Sequence, residues 1–600
     1  MSAHHVPLGI VRWAADIIDR SGVIEKIAAW QKADQKYKGG RPTTLSPRAV
    51  LIAWLVVGFE QQPLYAIRVA EVLSVRLTPE AANVMGVPAS FADVQYMSMA
   101  NRVERATNLL LDLFDHKPLP NRQYPTLKGE MAGIMESRAL QADALEDKRL
   151  RLFRFINDQL HAQYEGLPDS AKTERVSVAI DATFLAAPSR GMSKERIAKR
   201  RDNQTMPFDP DAGWYYREYD QRDSWDGQER TAKKVGYGYE AELAVLVSND
   251  SSYREAVPHM VLGFNFHAPA KGSNYRAREI FDDILAWGKR FGYVISDMAY
   301  LPGSNPDVLQ NPLRDGGAML SMRYPVASHP TMKGEGTTQA RAHGAHMLEG
   351  KWMCPMTPRT ARQVMVEYNR KVTADKRNPK LTKAEREARE LVHRQWRYDM
   401  LEERAKWELR QHDKKADGTL IMHCPAFGEG RTLECPLRPN QPPLPDGKVA
   451  LPVLEVPKAP GKVCTNAASV TFAPDEGAKY RQHHAYGTPE WDDAHTYGRQ
   501  TIESYNKILK RADNSLHDST NRRLRGEAAQ TFLAGIAVIA LNGRVIFEWL
   551  DQEYDPERPA PEPNERKRRA NRHVAAKRTK KARTGRGLPA GRRARWGILD

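Results

Sequence analysis

Residues 176–185 read VSVAIDATFL. Val176, Val178 and Ile180 alternate with Ser177 and Ala179, and period two with β-branched residues is the pattern of a strand. Asp181 falls on the face of Ser177 and Ala179, whose small side chains leave room beside it. An ionised carboxylate against a buried strand is costly unless a charge meets it. Taken alone, such an aspartate most simply caps the turn after its strand. A chemical role needs partners elsewhere in the chain.

A second stretch repeats the design. YVISDMAY (293–300) runs through apolar residues into Asp297. Between the two lie strand patterns at YGYEAELAVLV (237–247) and HMVLGFNFHA (259–268), then a helical pattern, YRAREIFDDILAWGKRFG (275–292). GAMLSMRYPVA (317–327) is a fifth strand candidate. Three strands in a meander, a helix and another strand is the order of a ribonuclease H-like α/β core, though other mixed folds share it. Two strands ending in carboxylates place both at one sheet edge. A divalent cation relieves their repulsion, and oxygen ligands suit Mg²⁺ or Mn²⁺. A pair of such ions about 3.5–4 Å apart serves phosphodiester chemistry at the attacking and leaving oxygens. That arrangement needs a third carboxylate.

TYGRQTIESYNKILKR (496–511) supplies one. Arg499, Glu503 and Lys510 are four and seven residues apart, within about 40° of one another on a helix face. Glu503 reaches toward the metals while its basic neighbours grip a phosphate. The plain alternative is a solvated helix with Arg499–Glu503 and Glu503–Lys507 as surface ion pairs.

With Asp181, Asp297 and Glu503 in this order, residues 170–550 resemble bacterial insertion-sequence transposases of the DDE class. The resemblance implies a ribonuclease H-like catalytic domain and two Mg²⁺ or Mn²⁺ ions held by the three acids. It implies cleavage at the terminal inverted repeats of double-stranded DNA, then attack of the freed 3′-hydroxyl on target DNA, by a homodimer that pairs two ends. Some cut-and-paste members carry an insertion domain before the glutamate, and Asp297 and Glu503 here are 206 residues apart. Those members share Y-x2-R-x3-E-x6-K. Arg499, Glu503 and Lys510 fit it as phosphate contacts, while the tyrosine position holds Thr496 and Tyr497 comes one residue late. That departure bears on whether the ends open through a DNA hairpin. Lys507 joins the DNA-contacting set. Trp491 is first a packing residue, with base stacking as the alternative.

The chain divides accordingly: a helical N-terminal DNA-binding domain (1–115), a helical connector (116–170), the core's first part (171–327), an insertion domain (328–490), the core's second part (491–555) and a basic, disordered tail (556–600). In the first, Ser46-Pro47 opens a helix, and RAVLIAWLVVGF and LYAIRVAEVLS flank a break at EQQP. Two such helices suit a helix-turn-helix; a pair of core helices is the preferred reading. The insertion holds a long charged helical pattern, KAEREARELVHRQWRYDMLEERAKWELRQHDKK, and proline-rich loops.

The net charge of +17 points to a polyanionic partner. Residues 566–597 carry 14 lysines and arginines and no acid, so the tail, with Arg568, Arg569, Lys580 and Lys581, adds affinity for phosphates without reading sequence. No signal peptide is visible, and the apolar runs AVLIAWLVVGF and FLAGIAVIAL are about half a membrane span. The expectation is a soluble cytoplasmic protein associated with the nucleoid. Four cysteines in a chain this long argue against a disulfide framework. Cys424 and Cys435, with ten residues between them, could hold a structural zinc, but that spacing is not a knuckle's and the other two lie far off in sequence; buried free thiols are the default. The rival functions are a nuclease that cuts without joining, a non-catalytic DNA-binding protein and an RNA-binding protein.

Overall fold

The structure is a computed structural model and describes residues 5–35, 45–88, 94–217, 234–269, 272–302, 304–324, 340–444, 450–511 and 516–552. The basic tail with Arg568, Arg569, Lys580 and Lys581 lies outside them.

The chain opens with helices α1 (Leu8–Arg20), α2 (Val23–Asp34), α3 (Pro47–Phe59), α4 (Ala66–Val75), α5 (Pro79–Met85) and α6 (Tyr96–Phe114). The connector forms α7 (Lys128–Leu140) and α8 (Ala142–Glu165), of which the first was not legible as a helix. Ser46 caps α3 as anticipated, its hydroxyl accepting from the Ala49 N–H at 3.1 Å ahead of Pro47 in the first turn. Every residue of α3 from Ala49 to Gly58 is buried, so this helix has no free face for a DNA groove. The core reading holds for it.

The mixed α/β centre comprises β1 (Arg175–Ala186), α9 (Lys194–Ala198), β2 (Gly213–Arg217), β3 (Lys234–Val247), β4 (Val261–His267), α10 (Ser273–Ala286), β5 (Arg290–Ser296), α11 (Gln310–Asp315) and β6 (Met319–Met322). The sheet runs β2-β3-β1-β5-β6, with β4 also paired to β3. β3 is antiparallel to β1, β2 and β4, whereas β5 is parallel to β1, and β6 to β5. Val176, Val178 and Ile180 face one apolar cluster, with Ile280 and Phe281 of α10. Ala179 and Leu185 face the other, which the N-terminal helices and the last helices complete. The N-terminal helices therefore share a core with the sheet instead of closing a separate one.

The block after β6 is richer in strands than its sequence suggests. It holds β7 (Ala340–Ala342), β8 (Ala345–Leu348), β9 (Lys351–Met353), α12 (Arg359–Arg362), α13 (Val364–Arg377), α14 (Lys383–Arg404), β10 (Arg410–Lys414), β11 (Leu420–His423), α15 (Lys462–Thr465) and β12 (Ser469–Phe472), in two three-stranded sheets. The charged helix thus stops at Arg404. That guanidinium is buried against Glu349 at 2.5 Å, and residues 410–414 turn at Gly418 (φ +86°) to pair with β11. Helical charge patterning ran on because Lys, Asp and His tolerate an exposed hairpin equally well.

Two helices close the described chain, α16 (Pro489–Leu509) and α17 (Glu527–Gln552). The apolar stretch in α17 is longer than the half-span first read. Residues 527–551 are long and apolar enough to cross a membrane, with mean hydropathy 1.6, yet 72% of that window is buried inside the protein. Its close neighbour is α3, where a Cβ on Gly58 would stand 3.0 Å from the Ala540 methyl.

Candidate active site

β1 and β5 are parallel, and Ile180 pairs with Ser296 at the end of their shared register. Asp181 and Asp297 are the next residues on two strands that run side by side about 4.8 Å apart. Asp297 follows the last residue of β5, as read; its Oδ1 accepts from the Ala299 N–H at 2.8 Å, which fixes the carboxylate in a turn. Asp181 corrects the sequence reading. It does not end its strand: β1 continues to Ala186, paired with β3 alone, and Asp181 stands opposite Leu243. It sits where β5 peels away, so a mid-strand carboxylate still opens to one side.

That side is covered by α16. Thr488 caps the helix, its hydroxyl accepting from the Trp491 N–H at 3.4 Å, and Pro489 takes the first turn. Gly498 lets the helix lie on β5: a Cβ there would come 2.3 Å from Ile295 Cδ1. One residue on, Arg499 Nη2 lies 3.5 Å from Asp181 Oδ2 and 3.3 Å from Glu503 Oε1. Asn506 Nδ2 donates to the same Asp181 oxygen at 3.3 Å.

Two of the three acids, Asp181 and Glu503, contact this guanidinium, and Asp297 acts on it electrostatically. Burial works against the Arg499 charge, but Asp181, Asp297 and Glu503 outweigh it and hold its pKa above the ordinary value. Burial raises Asp181 to about 7; Arg499 pulls it down, while Asp297 and Glu242 push it up. The Asp181 side chain is 19% exposed and that of Glu503 63%, so the first acid is held in the floor and the third stands at the rim.

Behind Asp181 lies a buried group that the sequence did not disclose. Glu242 on β3 is fully buried, taking a hydrogen bond from the Tyr300 hydroxyl and facing His267 Nε2 at 2.9 Å. His267 Nδ1 lies 2.8 Å from the Ala268 carbonyl, so both ring nitrogens face acceptors and the imidazolium satisfies both. Burial alone depresses His267, and Glu242 more than reverses it. Tyr300 follows Asp297 by three residues and ties its turn to β3. The available signal was a glutamate inside the apolar run YEAELAVLV.

The remaining candidates separate. Tyr497 is buried, its oxygen accepting from the Ser248 N–H at 3.0 Å and lying 2.9 Å from His259 Nε2. Trp491 is buried too, donating to Gln482 at 2.9 Å and stacked on His495 at 4.2 Å. Both are packing residues here, and neither presents a face to DNA. Tyr497 lies inside the helix, so its one-residue offset from the signature points it into the core. Lys507 is exposed on the next turn after Glu503, and Lys510 is the C-cap of α16.

Among the described residues, no group of three His, Cys, Asp or Glu side chains is gathered closely enough to hold a metal ion. The donor set still suits a hard divalent cation: it is all oxygen, and Asn506 Oδ1 is buried beside Asp181 without a hydrogen-bond partner. Arg499 stands among the acids as their counter-charge. No family model, curated protein or solved structure matches this chain.

Proposed function

We propose that this chain is a metal-dependent DNA transposase of the DDE kind, built on a ribonuclease H-like core. The observation that carries the reading is Arg499 in contact with both Asp181 and Glu503, with Asp297 level with Asp181 on the neighbouring strand, from three segments spread over 322 residues. The sheet order β4-β3-β1-β5-β6, with β5 and β6 parallel to β1, supports the core assignment. The net charge of +17 supports a nucleic-acid partner.

Asp181, Asp297 and Glu503, with Asn506 Oδ1 beside them, are the residues that would hold Mg²⁺ or Mn²⁺. Such ions supply activation of an attacking oxygen and stabilisation of a leaving one. The protein's own groups do the rest. Arg499 neutralises the acids until cation and phosphate charge replaces it among them. Glu503 at the rim and Lys507 beside it face the incoming backbone. The buried Glu242–His267–Tyr300 group ties the turn that carries Asp297 to β3. Terminal inverted repeats and target DNA are the substrates, the working unit is a DNA-bound homodimer, and the place of action is the nucleoid.

A second reading rests on Arg499 itself. A guanidinium seated among the acids can be a permanent ion-pair network, which makes the chain a non-catalytic DNA-binding protein. The test is Mg²⁺- or Mn²⁺-dependent cleavage of DNA carrying the gene's own flanks, wild type beside Asp181→Ala. The proposal expects cleavage at bordering repeats that falls about a hundredfold or more in the variant, roughly 3 kcal/mol of barrier. Binding to the flanks with no cleavage by either protein would favour the second reading.

A further inference from the structure

All four cysteines of the chain lie between residues 354 and 464, and the fold brings their segments into one lobe. Three have the same local form. Cys354, Cys424 and Cys435 are each followed by proline, and each opens a turn in which the residue three on donates to the cysteine carbonyl: Thr357 at 3.1 Å, Phe427 at 3.0 Å and Arg438 at 2.8 Å. Proline has no N–H, so the first free amide in such a turn is two residues past the cysteine.

The segments are then tied together. The Cys354 N–H donates to the Trp407 carbonyl at 2.8 Å, and Trp407 packs on the small apolar cluster that contains Cys424 and Cys435. Arg438, in the Cys435 turn, donates to the carbonyls of Val463, Asn466 and Ala467 at 3.2, 2.8 and 2.9 Å, which flank Cys464 on α15.

The cluster holding Cys424 and Cys435 has three buried members, Cys424, Ala426 and Leu433, and the chain from 424 to 444 contains no helix or strand. An apolar core of that size rarely fixes a loop of such length; metals and disulfides are the usual staples. We infer that Cys354, Cys424, Cys435 and Cys464 are the ligands of a structural zinc ion that closes this lobe. The two cysteines farthest away in sequence thus complete a set that Cys424 and Cys435 alone cannot make, and four thiolates suit tetrahedral zinc at about 2.3 Å. The sulfurs are not gathered to ligating distance, so binding draws the three Cys-Pro turns and α15 inward.

The test uses the full chain, purified under reducing conditions with zinc present and washed with EDTA to strip oxygen-held ions. Elemental analysis should find about one zinc ion per chain, released in step with thiol modification by a mercurial. Growth on cobalt should give the thiolate-to-cobalt charge-transfer band and the strong visible bands of a tetrahedral sulfur site. Cys354→Ser and Cys464→Ser should each lower bound zinc at least tenfold. Full zinc retained in either variant overturns the four-ligand assignment. So does a zinc-free wild type whose four thiols react freely, or one whose cysteines are paired as disulfides. The cobalt spectrum needs no variant and decides the matter if a serine variant fails to fold. None of these readouts depends on DNA cleavage.

Discussion

Replacing Asp181 by asparagine should make the protein more stable in alkaline solution while removing its chemistry. The folded-state pKa of Asp181 is raised to about 7, against about 3.9 for an unfolded aspartate, and the first cause is burial. The folded protein therefore disfavours the ionised form. Below about pH 4 both states are protonated and the penalty is absent; it grows as pH rises to the folded pKa and is constant above it. About three pH units at 1.36 kcal/mol each give about 4 kcal/mol. Relaxation and the residual exposure reduce this, and about 2–4 kcal/mol is the working figure. Asparagine keeps the shape and still offers an oxygen to Asn506 and Arg499, so little else changes. At about 2.1 cal/mol/K per residue, this corresponds to a melting temperature higher by a few degrees at about pH 8, with the two proteins converging near about pH 4. Thermal melts across that range, without divalent metal, provide the assay. Adding Mg²⁺ should then raise the melting temperature of wild type but not of Asp181→Asn. A variant equal to or less stable than wild type at about pH 8 would refute the claim that burial strains this carboxylate.

Arg499→Ala removes the strongest influence lowering Asp181. Unit charges about 4 Å apart interact by about 4 kcal/mol in a medium of intermediate polarity, and water entering the gap offsets part of that. The acid limb of the cleavage rate should move about one to two pH units upward, and an unmoved pH profile would show that Arg499 is not the counter-charge. Gly498→Ala puts a methyl against Ile295, which overpacking makes about 1–3 kcal/mol destabilising, and it should cost more in cleavage than in stability because α16 tilts Glu503 away from Asp297. A melt and a rate measured on the same preparation check it; equal losses would show that the contact is merely structural.

What the sequence disclosed follows the range of the interactions that set it. The strand at Asp181, the strand before Asp297 and the cap of α3 are local, and each was legible because period two or a Ser-Pro pair suffices. The β10–β11 hairpin was hidden because its exposed residues carry no apolar alternation. The role of Asp181 as a mid-strand residue was hidden as well. It depends on where β5 stops pairing with β1, which is a property of two segments and not of one. Glu242 was passed over for the same reason: its partners His267 and Tyr300 lie 25 and 58 residues away. The spacing of the helix face placed Arg499 and Glu503 together correctly, but it could not say that Tyr497 turns inward to Ser248.

The gap between Asp297 and Glu503 looks like an obstacle to a shared site, and the structure shows why it is a small one. Each doubling of a loop costs only about 0.6 kcal/mol of closure entropy, so the length of an insertion matters less than whether its ends are held together. Here they are. The chain leaves the sheet at β6 and returns along residues 480–483. There the His483 N–H donates to the Leu320 carbonyl at 3.0 Å, Gln482 accepts from the Met322 N–H at 3.0 Å, and the Tyr324 hydroxyl donates to the Tyr480 carbonyl at 2.6 Å. Gln482 also takes the Trp491 indole N–H, so the clamp passes directly into α16. From the other side Arg397 and Tyr398 of α14 both grip Asp492. Asp492 precedes Arg499 by seven residues, about 10 Å of helix. At its far end α16 is fastened by Tyr505 to Asn542 of α17 at 2.9 Å. A helix segment of about three and a half turns held at both ends does not bend freely, so the position of Glu503 is set by the sheet and by the inserted lobe together. The lobe can be large because its neck is closed, and it remains coupled to the acids because that neck is the root of the helix that carries the third one.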